Sequence, residues 1–168
     1  GGSFPGASLW RANLLQAIVQ DVDLSGADLT EANFHAVNLS GSNFAGATMI
    51  RTSLTKTNMI GVNLSGADLT GANLSEAKLH DADMRGANMH KADLPTADMT
   101  GANLRGASFE DANLTWSTMV NADLRGVNFS KANLGSADLS GADLSGANLT
   151  GARFCKTKMP TGMDNSDC

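Results

Sequence analysis

Three histidines (His35, His80, His90) and two cysteines (Cys155, Cys168) are the side chains best suited to metal binding or nucleophilic chemistry. A metal site needs three or four ligands converging on one point, and a catalytic site needs a nucleophile with a base in reach. Neither is visible. No histidine stands near Cys155 in the sequence, and there is no G-x-S-x-G or P-loop motif. Glycines are frequent, but they follow the repeat described below and do not form a phosphate loop. Triplets such as Asn38-Leu39-Ser40 are by-products of that repeat, not glycosylation signals. No catalytic residue, metal or cofactor is expected. Two other groupings suit contact with a partner. Arg85, Arg105 and Arg125 fall twenty residues apart, and Trp116 and Val120 are large apolar residues among small polar ones.

The elements that carry these side chains follow from one periodicity. Every fifth residue from Phe4 to Met159 is apolar, 32 positions without an interruption. All six Phe lie in this register, and only Met163 and Leu15 among the Met and Leu lie outside it. Two places before each such centre stands a small residue, usually Ala, and between them mostly Asn or Asp. The remaining two places are commonly Ser-Gly or Thr-Gly, giving A-(N/D)-L-(S/T)-G. On an α-helix a period of five would smear the apolar residues around the axis. In an extended segment the small residue and the centre share one face, and the polar residue between them faces the other way. The Ser-Gly pair is turn chemistry. Each repeat therefore reads as a very short strand followed by a corner. One repeat cannot offset the entropy of ordering its own five residues, so the units must stack.

Unbroken tandem A-(D/N)-L-x-x resembles the pentapeptide repeat family over residues 4–159. That resemblance implies an all-β fold, a right-handed quadrilateral β-helix with four repeats per coil and about eight coils. It places His35, His80 and His90 on three different faces. It stacks Arg85, Arg105 and Arg125 on one face, with Asp83 and Asp123 two residues before two of them. It puts Ile60 and His80 in the column of Val120, with Trp116 in the same repeat as Val120. The expected partner surface is therefore Trp116, Val120, Ile60, Arg85, Arg105 and Arg125, against the plainer reading of solvated ion pairs and incidental apolar residues.

The ends are read separately. Gly1-Gly2-Ser3 has the look of a tag remnant. Residues 4–20 continue the register, though Leu9–Gln20 also suits an amphipathic capping helix, and coils are the favoured reading. Pro160 cannot continue a ladder, so residues 160–168 are expected to form a C-terminal cap. Cys155 and Cys168 either pair as a disulfide, the expected arrangement, or remain two free thiols. The segment from Phe154 to Cys168 is similar to the endings of cyanobacterial and plant members, some of them in the thylakoid lumen. With the disulfide it favours thylakoid lumen or periplasm over cytoplasm.

The net charge of −5 argues against nonspecific nucleic-acid binding, which needs a basic surface. No apolar run is long enough to span a membrane. The expected function is a non-enzymatic structural or protein-binding scaffold, a monomer with no small-molecule substrate. The alternative is a DNA mimic acting on a type II topoisomerase such as gyrase, as quinolone-resistance members of the family do. This chain departs from them: no loop interrupts its coils, it has no apolar C-terminal dimerisation helix, and its acidic residues are diluted by Arg and Lys.

Overall fold

The computed structural model describes residues 1–168. Its organising feature is a ladder of parallel bridges between residues twenty apart, from Ser3↔Asp23 to Asp138↔Lys158. Twenty residues are four repeats, so the chain turns four corners per coil, with the bridged polar residue of each repeat in mid-side. Each side is named here by its outward residues in one coil. Side A carries Asp83 and Arg85, side B Asn88 and His90, side C Asp93 and Pro95, and side D Asp98 and Thr100.

The hydrogen bonds explain why so short a strand persists. Leu64 N–H donates to Asp83 C=O at 2.7 Å, and Asp83 N–H donates to Val62 C=O at 2.9 Å. At the corner Gly66 N–H donates to Arg85 C=O at 2.8 Å, and Ala67 N–H closes the turn onto Leu64 C=O at 3.0 Å. The N–H and C=O groups of each inward-facing strand are thus paired along the middle coils, while corner carbonyls such as that of Gly66 take no backbone bond. The Asn or Asp of the repeat adds a local bond: Asn63 Oδ1 accepts Ser65 N–H at 3.0 Å, and Asp68 Oδ1 accepts Thr70 N–H at 3.0 Å. This Asx arrangement fixes the approach to the corner. Asp93 cannot make it, because Pro95 has no N–H, and it accepts instead from Asn113 Nδ2 at 2.7 Å.

Corners require a left-handed backbone. The corner between sides A and B is glycine at every level from Gly6 to Gly146, with Gly106 at φ 68°. The other three corners hold many larger residues at positive φ, including Arg11, Lys91 and Trp116.

Inside, the centres and the small residues form one apolar cluster, and Leu64, Met84, Leu104 and Leu124 are fully buried. Phe109 and Phe129, one level apart, stack with ring centroids 5.4 Å apart. Where Ser or Thr replaces the inward Ala, its hydroxyl finds a carbonyl. Thr52 donates to Leu29 C=O at 2.8 Å and Ser117 to Leu114 C=O at 2.8 Å. No buried side-chain N or O lacks a partner.

The two ends differ. Leu9–Gln20 forms repeats and no helix, and Gly2 C=O and Ser3 already belong to the ladder. The first coil is incomplete on side D, where Ile18 and Asn38 form no bridge and Ile18 is 90% exposed. The interior of that coil opens as an apolar cleft of about 280 Å³ lined by residues including Phe4, Leu14 and Val22. At the other end, strand β1 (Thr157–Met159) pairs antiparallel with β2 (Gly162–Asp164), Pro160 lying in the turn. Asp167 N–H donates to Phe154 C=O at 2.8 Å, and Asn165 Oδ1 accepts Lys156 N–H at 3.1 Å. The tail thereby covers part of the last coil's free edge.

Placing a carboxylate in the stack should be far worse than placing one outside. Leu104→Asp is expected to abolish cooperative folding, while Ser145→Asp changes the melting temperature little. Thermal melts of the two variants check this, and equal tolerance would contradict the inward register.

Candidate docking surface

A surface side chain acts here by its side and its level on the ladder. The three arginines occupy one outward column of side A, and they are not equivalent. Arg85 is turned onto Asp83, its Nε at 2.8 Å from Oδ1 and its Nη2 at 2.6 Å from Oδ2. Arg125 grips Asp123 in the same way and lies 3.8 Å from Asp143. Between them Arg105 stands over Asn103, which accepts its N–H but offers no charge, and it makes no salt bridge. The residue two places earlier decides the difference.

These pairs shape the acidity of the face. Hydrogen bonds from Arg125 hold Asp123 down at about 2, from an ordinary value of 3.8. On side D, hydrogen bonds from Lys158 and then Ser140 hold Asp138 at about 2. Asp83 is lowered by Arg85, and Glu31 by Arg11 and then Arg51.

Trp116, Val120 and Ile60 belong elsewhere. Trp116 occupies the corner between sides C and D, diagonally opposite the glycine corner that borders the arginine column. It is 66% exposed at φ 62°, a conformation disfavoured for a bulky side chain. Ile60, 42% exposed, and half-buried Val120 share an outward column of side D, three levels apart, with His80 and Thr100 between them. The six residues expected to form one partner surface therefore fall into two regions: arginines on side A, apolar residues on side D and its corner. Side D also holds a shallow groove of about 670 Å³ lined by Ile60, Glu76, Ala77, Lys78, His80, Thr96 and Asp98. His80 Nε2 lies 2.8 Å from Asp98 Oδ2, while Lys78 is exposed and without an ion pair.

The remaining candidates stay apart. His35 reaches Thr55 on side C, and His90 lies on side B, its N–H bonded to Asn88 Oδ1 at 3.1 Å. No three His, Cys, Asp or Glu side chains come together as metal ligands. Cys155 and Cys168 are joined as a disulfide, Cα atoms 4.8 Å apart, tying the tail to the last coil. Sequence reasoning passed over Lys78 and Asp98. It also missed the corner between sides B and C, where Glu31 takes Arg11 at 2.6 Å and Arg51 at 2.7 Å. Reading mid-side and corner positions alike at a spacing of twenty residues would have exposed both.

The profile described as Pentapeptide repeats matches this chain in eight copies, over residues 1–31, 32–71, 63–101, 107–146 and 122–159. The chain belongs to the pentapeptide repeat family. Its fold is accordingly the right-handed quadrilateral β-helix of pentapeptide repeat proteins. No curated protein matches it significantly. Among solved structures, a pentapeptide repeat protein from the cyanobacterium Cyanothece 51142 is 35% identical with a TM-score of 0.54. That match covers 56% of this chain, and the chain spans 65% of that protein's length. A pentapeptide repeat protein of the Arabidopsis thaliana thylakoid lumen is 31% identical over 76% of this chain and 70% of its own, with a TM-score of 0.24. QnrB1, a plasmid-mediated fluoroquinolone resistance protein, is 17% identical with a TM-score of 0.56 over 90% of this chain and 89% of its own, a likeness of fold alone.

The lowered aspartates make stability pH-dependent in one direction. A carboxylate whose folded value lies below its unfolded value favours the folded chain at higher pH, and that contribution disappears as pH falls through the folded value. For Asp123 and Asp138 the window runs from 3.8 down to about 2. Carboxyl NMR titration is expected to place both near the bottom of it. In Arg125→Ala, Asp123 should rise toward 3.8 while Asp138 stays. An Asp123 titrating at its ordinary value in the unmodified chain would contradict the pairing.

Proposed function

We propose that this pentapeptide repeat protein is a non-enzymatic scaffold that docks a protein partner on the side chains its coils display. Its solenoid is taken as one unit over residues 4–159, about eight coils and a rod of about 38 Å at the usual strand spacing. A rod whose side chains stand in fixed columns suits recognition by charge and shape more than chemistry in a closed site. Arg105 carries the reading. It is the arginine of the side A strip with no carboxylate partner, and it stands beside the side-chain-free glycine corner, where Gly86, Gly106 and Gly126 have open space around them. An acidic group on a partner would complete the pattern that Asp83 and Asp123 complete for Arg85 and Arg125.

Crosslinked capture from extracts is the test. A saturable partner held by the unmodified protein and lost in Arg105→Glu supports the strip. Identical capture by both proteins, or none that saturates, contradicts it.

A second reading, a DNA mimic that inhibits gyrase, is favoured by one observation. Arg11, Arg51, Arg85 and Arg125 are all held by carboxylates, which leaves a rod of net charge −5 with few free arginines. Inhibition of supercoiling at micromolar protein would support it, and no inhibition would remove it.

The proposed compartment is an oxidising one, thylakoid lumen or periplasm, with cytoplasm as the alternative. The Cys155–Cys168 disulfide supports it. No helix is long and apolar enough to cross a membrane. A disulfide closing a loop of this size contributes roughly 3 kcal/mol. Reduction is therefore expected to lower the melting temperature by several degrees and to release the tail to proteolysis. An unchanged melt would show that the bond does not pin the cap.

A further inference from the structure

Side D carries an arrangement that none of its residues shows singly. Consider two copies side by side through this side, antiparallel, related by a twofold axis level with the gap between the His80 and Thr100 rungs. Residues in one outward column then face residues of the same column at mirrored levels. Ile60 of one copy comes opposite Val120 of the other, apolar against apolar. Lys78, exposed and without an ion pair of its own, comes opposite Asp98. At the bounding corner Lys56, whose ammonium lies 3.7 Å from its own Glu76, comes opposite the exposed aromatic ring of Trp116. Each pairing occurs twice. No like charges meet along the two outward columns or the two corners that bound the side.

We propose that side D is a self-association surface that pairs two copies of this chain antiparallel. A parallel twofold pair through the same side destroys the match. Ile60 would face Asn58, Val120 would face Thr118, and Lys78 would face His80. The groove around Lys78, His80 and Asp98 lies on the antiparallel axis. There Asp98, already 2.8 Å from its own His80, also receives the second copy's lysine. Trp116, 66% exposed, stands at the corner that bounds this side.

Area sets the strength. A side about 38 Å long and about 16 Å across buries roughly 600 Å² per copy, or about 1,200 Å² in total, near the lower bound for a specific interface. The dimer should therefore be reversible, with a dissociation constant in the micromolar range. It leaves both side A strips exposed, so the inference goes beyond the scaffold reading and does not depend on the partner of Arg105.

Sedimentation velocity from about 1 to about 100 μM tests it. The unmodified chain should pass from monomer to dimer. Lys78→Glu, which sets like charges opposite each other, should weaken the dimer at least tenfold, and adding Asp98→Lys should restore it. Melting curves of each variant confirm that the fold is kept. Register is read by oxidation. Ile60→Cys mixed with Val120→Cys should crosslink, and Ile60→Cys alone should not. A monomer at every concentration, a dimer indifferent to Lys78→Glu, or crosslinking of Ile60→Cys to itself would overturn the proposal.

Discussion

Each inward side chain is sheltered by the levels above and below it, and the rest of the structure depends on that mutual cover. A single repeat offers one bridged residue and one large apolar group, too little to order five residues by itself. When Leu64 N–H reaches Asp83 C=O and Asp83 N–H reaches Val62 C=O, the same contact closes the backbone and brings Leu64 and Met84 into one stack. The ladder and the core are two aspects of one constraint. It weakens toward the termini, where Phe4 and Ile18 lie exposed at one end and the β1–β2 hairpin and disulfide cover part of the other.

Rigidity of this kind has a consequence for recognition. The backbone alone fixes which outward residues are neighbours, so a side chain's meaning lies in its column. Arg85 and Arg125 are neutralised because an Asp stands two places before each, and Arg105 is not because Asn103 stands there. Positive φ at Trp116 is held by its N–H bond to Gly135 C=O at 2.9 Å, so the ladder imposes a conformation the residue would otherwise avoid. Surfaces built in this way suit partners that read spacing, including a second copy of the same chain.

Much of this was legible before any coordinates. The five-residue register identified the buried centres, and the alternation of small, polar and large residues gave the strand-and-corner unit. Four repeats per coil could not come from that spacing, because a short strand and a corner do not fix how many sides close the coil. The family resemblance supplied that number. The continuity of Ala12, Leu14, Ala17 and Val19 with the repeat favoured coils over a helix across Leu9–Gln20 without settling it, and the loss of bridging at Ile18 is not written in any local pattern. The Asn or Asp of each repeat was read only as outward, and its bond to the N–H two residues on became visible with the corner's geometry. The arginine ladder and the Trp116, Val120 and Ile60 patch were each legible from the twenty-residue spacing, and the coil sets them on different sides, side A and side D with its corner.

The central claim is the ladder of residues twenty apart, and amide hydrogen exchange reads it level by level. The amides of Leu64, Leu69, Leu74 and Leu79, each bonded to the coil above, should be among the most protected in the chain. Protection should fall toward both termini and be lost at Ile18 and Val19, where side D of the first coil forms no bridge. Uniform weak exchange through the middle coils, or protection that ignores the four-repeat period, would contradict the account.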